Sequence, residues 1–245
     1  MSKTNEGART SKSGRLRLPR WLSLAPTPSP IPGPAPDDAE ESYLNMADVW
    51  LIVGLGNPGA KYAGNRHNIG QMVLDLLSTR IGAKFARHSR AQAVVAEGRL
   101  GVSPGGAPGP RVVLAKPSSY MNRSGGPVST LATYYGVAPE RVLVVHDEVD
   151  IPFDTIRLKS GGGEGGHNGL RDVSKALDTK DYLRVRVGVG RPPGRMDTAD
   201  YVLRDFTGAE RERLPLLIDD AADAVELVIT EGLIAAQQKF HSRTG

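Results

Sequence analysis

The chain has 245 residues, enough for one sizeable domain with its own core. Its 31 Lys and Arg against 27 Asp and Glu leave a formal net charge of +4, a mild excess that permits an acidic partner without demanding one. The absence of cysteine excludes a disulfide framework, a thiol nucleophile and a zinc–thiolate site, and no apolar run is long enough to span a membrane.

Residues 1–45 are first basic and polar, then Pro-rich (TPSPIPGPAPDDAEES), with no helix or strand periodicity. They read as a disordered extension, or as sequence upstream of a true start at Met46. An organelle transit peptide ranks below both readings. Residues 46–245 are expected to form the folded domain. There, 49–53 reads as a strand, and 68–77 has the apolar spacing of a helix. Segments 93–97 and 111–115 read as strands joined by a Gly/Pro hairpin at 103–110. A helix follows over 128–135 and stops at Gly136. Residues 142–146 form a continuous apolar run, the pattern of a strand buried on both faces. Strands are expected at 155–159 and 183–189, a helix at 170–177, and amphipathic helix over 208–240 with a break near Gly232. Strands separated by helices predict a single three-layer α/β domain. The hairpin makes its central sheet mixed, mostly parallel, and flanked by helices.

Gly54, Gly56 and Gly59 after the first strand fit a dinucleotide-binding fingerprint, with Asp75 at the expected distance. Pro58, Gly59 and Gly64 keep the chain irregular to about Arg66, whereas that fingerprint needs a helix opening within the glycines. Asp75 also falls inside the predicted helix. The glycines are better read as a sharp bend that brings Asn57 to the strand end.

His67 sits at or just before a helix N-terminus, where the dipole disfavours imidazolium and favours a free base. Asp147, ending the buried strand, is placed to accept the Nδ1 proton of His67, the base-plus-orienter logic of hydrolases. His146, Glu148 and Asp150 beside it raise a divalent metal site as the second reading. Adjacent strand residues face opposite ways, which argues against His146 and Asp147 sharing one ion. Asn122 and Asn168 each precede a helix and read either as N-caps or, with Asn57, as amides converging on one crevice. Neutral amides of this kind suit an ester-linked peptide better than a charged metabolite.

The segments GLGNPGAKYAGNRHNIG (54–70), KPSSYMNRSG (116–125), HDEVDIP (146–152) and GGGEGGHNGLRD (161–172), in this order and spacing, closely resemble the bacterial-type peptidyl-tRNA hydrolases. The resemblance spans about residues 48–240. It implies cleavage of the ester between a peptide and the tRNA 3′ ribose, by a cytoplasmic monomer with no metal or cofactor. It casts His67 as general base, Asp147 as the group supporting it, and Asn57 as the residue separating blocked from free aminoacyl-tRNA. Tyr62, Tyr120, Met121, Asn122, His167 and Asn168 match substrate-contacting positions. Lys159 and Arg186 are the best matches for a basic pair that grips the tRNA 5′-phosphate. Glu164 departs from the family pattern by placing a negative charge in the glycine loop.

Overall fold

The computed structural model describes residues 49–102 and 105–242. The expected extension over 1–45 and the candidate start at Met46 lie outside the described residues.

Seven strands form one sheet: β1 (Val49–Gly54), β2 (Ala86–Arg87), β3 (Ala93–Arg99), β4 (Arg111–Pro117), β5 (Val142–Glu148), β6 (Ile156–Ser160) and β7 (Leu183–Gly188), in the order β2-β3-β4-β1-β5-β7-β6. Pairs β4–β1, β1–β5 and β5–β7 are parallel, while β3 and β6 run against their neighbours at the two sides. The sheet is therefore mixed with most strands pointing one way, as expected. The helices are α1 (Ile69–Arg80), α2 (Gly125–Tyr135), α3 (Asn168–Leu177), α4 (Thr198–Val202), α5 (Gly208–Glu231) and α6 (Leu233–His241). The edge strand β2 and the short α4 carry too little periodicity to be anticipated.

Strand alternation divides the core into two layers. Ile52, Leu114, Leu143, Val145, Val185 and Val187 face α1, α5 and α6. Leu51, Val53, Val113, Ala115, Val142 and Val144 face α2 and α3. All seven residues of β5 are buried, because the strand is covered on both faces and flanked on both edges. Local chemistry sets the helix ends. Gly136 closes α2 in the left-handed conformation. Thr207 and Glu210 form a capping box at the start of α5. The helical tract beyond it breaks at Gly232, as expected.

The chain leaves β1 toward the α1 face and leaves β4 toward the α2 face. This opens a crevice over the carboxyl ends of β1, β4 and β5, where α/β folds bind ligands. Two glycines bring α1 close to it. A Cβ on Gly70 would stand 2.3 Å from the Val145 carbonyl oxygen, and one on Gly54 would stand 2.4 Å from the Gly70 oxygen. Only glycine at both positions lets the first turn of α1 rest on the ends of β1 and β5. The helix opens at Ile69, well past Gly59, which removes the dinucleotide fingerprint. Asp75 lies within α1 and pairs with Lys116.

Candidate active site

His67 lies in a 3-10 turn, Arg66–Asn68, that leads into α1. Arg66 fixes this turn. Its buried guanidinium donates to the Arg204 and Asp205 carbonyls and pairs with Glu210 at 2.6 Å, against the rings of Tyr201 and Phe206. The backbone of this turn is thus pinned to the α4–α5 connection.

The His67 Nδ1 stands 2.9 and 3.0 Å from the two carboxylate oxygens of Asp147. Asp147 is 3 % exposed, so the carboxylate is almost wholly withdrawn from water. Burial by itself would push its pKa up. The charges of His67 and His167 and their hydrogen bonds outweigh burial, and hold the carboxyl well below its usual range. For His67 itself, burial pulls the imidazole down, but the charge and hydrogen bond of Asp147 prevail and leave it above its ordinary value. The helix terminus is expected to lower the pKa of this ring; the buried carboxylate at hydrogen-bond distance outweighs it and raises that pKa instead. An ionised carboxylate can only accept, so Nδ1 of His67 is the donor. In the neutral ring Nε2 keeps its lone pair, and it makes no hydrogen bond among the described residues.

A second imidazole meets the same carboxylate. The Nδ1 of His167 accepts the Gly169 and Leu170 N–H groups at 3.1 and 3.3 Å and so caps α3. With Nδ1 accepting, the ring proton sits on Nε2, which donates to Asp147 Oδ1 at 3.0 Å. The cap is therefore His167, and Asn168 is the first residue of the helix. Asn122 does not cap α2 either. It is exposed in the 3-10 turn Met121–Arg123, and Ser124 occupies the cap position. Asn168 is likewise exposed and accepts from Arg171 at 3.3 Å.

Ligand atoms of His67, Asp147 and His167 lie within 4.8 Å of one another, a spacing that a metal ion could exploit. The proton pattern opposes it. To ligate through Nε2, neutral His167 would have to move its proton to Nδ1, against the two N–H groups of α3. The alternative grouping at 146–150 does not form. Glu148 binds Arg186 and Asp150 pairs with Arg191, while His146 turns to the opposite side of the strand from Asp147.

Asn57 is buried and held from three directions. Its Oδ1 accepts the Met121 N–H at 2.8 Å, its backbone N–H donates to Asn68 Oδ1, and its carbonyl accepts from Asn68 Nδ2, both at 2.9 Å. These bonds fix the amide orientation and leave its NH₂ without a hydrogen bond among the described residues. Asn68 is not among the expected site residues, though its position beside His67 offers a signal. Met121 is buried, and its Sδ would stand 2.5 Å from a Cβ at position 169. Gly169 thus brings the 121–123 turn against α3. At the rim, Tyr62 and Tyr120 pack edge to face with centroids 6.5 Å apart, and Tyr120 is 56 % exposed.

The glycine loop takes an unexpected course. β6 is antiparallel, so its end at Ser160 faces away from the crevice. Gly161, Gly162, Gly165 and Gly166, all with positive φ, carry the chain back along the sheet to His167. Beside this loop, Lys159 donates to the Gly163 carbonyl at 3.2 Å, and Arg186 donates twice to Glu148 Oε2 at 3.1 and 3.0 Å. The predicted basic pair therefore lies on adjacent strands, with the charge of Arg186 partly met by Glu148. Glu164 points to Lys180 at 3.3 Å.

A family model described as peptidyl-tRNA hydrolase matches residues 51–245. A peptidyl-tRNA hydrolase of Pseudarthrobacter chlorophenolicus is 72% identical over 196 residues, covering 80% of this chain and 97% of that protein. One from Paenarthrobacter aurescens is 68% identical over 196 residues, covering 80% of this chain and 98% of its own length. The crystal structure of peptidyl-tRNA hydrolase from Acinetobacter baumannii superposes with a TM-score of 0.71 at 35% identity, covering 80% of this chain and 95% of that one.

Proposed function

The chain belongs to the peptidyl-tRNA hydrolase family, and from that premise we propose that His67 is the general base which drives water onto the ester between a peptide and its tRNA. The observation that carries this reading is the bond from His67 Nδ1 to Asp147 at 2.9 Å, which leaves Nε2 as the free lone pair. Nε2 takes a proton from water as the oxygen attacks the ester carbonyl. The imidazolium so formed is stabilised by Asp147, whose carboxylate is kept ionised by both histidines. The proton then leaves with the ribose hydroxyl. An ester of this kind needs no further activation beyond hydrogen bonds to the developing oxyanion. The unoccupied NH₂ of Asn57 is suited to the substrate's carbonyl groups, with Asn122 a second donor at the rim.

The remaining roles follow the same reading. Tyr62 and Tyr120 offer ring faces to the peptide or the terminal base, and Asn168 and His167 border the acceptor end. Lys159 and Arg186 supply cations for the 5′-phosphate, at the edge of the same sheet face. Among the described residues no helix is long and apolar enough to cross a membrane. We place the protein in the cytoplasm, acting as a monomer.

Incubation with N-acetylaminoacyl-tRNA and with free aminoacyl-tRNA, both in EDTA, tests the reading. Release of tRNA from the blocked substrate alone is expected. Cleavage of neither, or cleavage lost to the chelator, contradicts it.

A further inference from the structure

Behind Asp147, on the side of the sheet facing α2 and α3, a third histidine meets a small cavity. His146 is 1 % exposed, and its Nδ1 lies 2.7 Å from the carbonyl oxygen of Asp147. A carbonyl only accepts, so Nδ1 carries the proton and Nε2 of the neutral ring is an acceptor. Burial, reinforced by the neighbouring His167, holds this imidazole well below its ordinary pKa and so keeps it neutral. Among the described residues nothing donates to its Nε2.

Arg184, on the neighbouring strand, is the converse case. It too is 1 % exposed, and its terminal nitrogens donate to the Gly163 and Gly162 carbonyls at 2.8 and 3.0 Å. Its guanidinium packs 4.6 Å from the Tyr182 ring centroid, and among the described residues it pairs with no carboxylate. Its Nε–H is buried and meets no acceptor among the described residues.

Both orphan groups line one cavity of about 80 Å³, together with Glu148, Lys159 and Arg186. One orphan is a donor and the other an acceptor, so a single partner serving both would accept and donate at once. A fully deprotonated anion has no proton to donate to His146 Nε2, and a metal cation cannot accept from Arg184. Water does both. The space exceeds the roughly 10–15 Å³ that one buried water requires.

We propose that buried water in this cavity joins Arg184 Nε–H to His146 Nε2, and that His146 is a positioning residue tying the glycine loop to the Asp147 backbone. Asp147 is then held twice by residues 161–167: its carboxylate through His167, and its peptide carbonyl through His146, the water and Arg184. The inference rests on the reading of His67 and Asp147 as the catalytic pair.

The wild-type protein supplies the first test. A high-resolution or neutron crystal structure should place ordered water within hydrogen-bonding distance of both nitrogens, and long-range ¹H–¹⁵N spectra should show His146 protonated at Nδ1 alone. A dry cavity, or a proton on Nε2, overturns the proposal. The second test is a double-mutant cycle on N-acetylaminoacyl-tRNA hydrolysis. His146→Asn keeps a donor for the Asp147 carbonyl and drops the bridge, while Arg184→Lys keeps the charge and drops Nε–H. Each should lower kcat about fivefold, the worth of one net hydrogen bond, with KM changed by less than about twofold. The double variant should be no slower than the slower single. Additive losses, or an unchanged kcat, overturn the coupling. Failure of the wild-type enzyme to cleave would instead refute the proposed function and leave the spectroscopic result standing.

Discussion

The hydrogen bond from His167 to Asp147 has its direction fixed from the far side of the ring. Because Nδ1 of His167 accepts two N–H groups of α3, its Nε2 must be the donor to Asp147 at 3.0 Å. A helix cap therefore determines which ring nitrogen presents its proton to the Asp147 carboxylate, which also accepts from His67 with both oxygens in reach.

Cap and clamp are separable. His167→Asn keeps a good cap and loses the bond to Asp147, so the melting temperature should stay near wild type while kcat/KM falls. His167→Ala loses both, and should also cost about 1 kcal/mol of stability. Thermal unfolding and steady-state kinetics on the two variants check this. Equal stability losses in both would remove the capping role.

The Asp147 carboxylate should set the acidic limb of the pH–rate profile. Its charge raises the His67 pKa, so the base form appears only as pH climbs past a value above that of an ordinary imidazole. In Asp147→Asn that charge is gone and burial remains, so the limb should move to lower pH while the plateau rate drops. Measurement of kcat/KM across pH decides it. A limb unmoved, or moved upward, would break the assignment.

Asn68 should matter for the loop more than for the chemistry. Asn68→Ala leaves the buried N–H and carbonyl of Asn57 without partners, at a cost of about 1–3 kcal/mol. Denaturant unfolding should show that loss, and discrimination between blocked and free aminoacyl-tRNA should weaken with it. Unchanged stability would mean that the loop is held elsewhere.

Lys159→Ala should raise KM for 5′-phosphorylated tRNA and leave kcat nearly unchanged. It should also reduce the salt dependence of binding by about one counterion. A tRNA lacking the phosphate should be insensitive to the substitution. Equal effects on both RNAs would place the phosphate elsewhere.

Most of the sheet could be read from periodicity, because buried strands such as Val142–Glu148 leave a continuous apolar run and α1 leaves a clear 3.6-residue stripe. The pairing of His67 with Asp147 was legible for a related reason: one stands just before a strong helical pattern and the other at the end of a strong strand pattern. What stayed hidden depends on geometry that no local pattern encodes. The antiparallel sense of β6 reverses the glycine loop. The capping role of His167, where Asn168 reads as one of the candidate caps, follows from backbone angles at one position. Nothing in the sequence around Arg66 and Arg184 marks them as buried, yet both lie against carbonyls supplied by distant segments. Glu148 gave no hint that it would meet Arg186, since the pair forms only when β5 and β7 lie side by side.

The central claim is that His67 supplies the base, and His67→Ala tests it most directly when hydrolysis and binding of N-acetylaminoacyl-tRNA are measured on the same preparation. The account predicts a fall in kcat of about 10²–10⁴-fold with substrate affinity retained. A folded His67→Ala variant that binds the substrate and still cleaves it within about tenfold of wild type, outside the range expected for a lost general base, would contradict it.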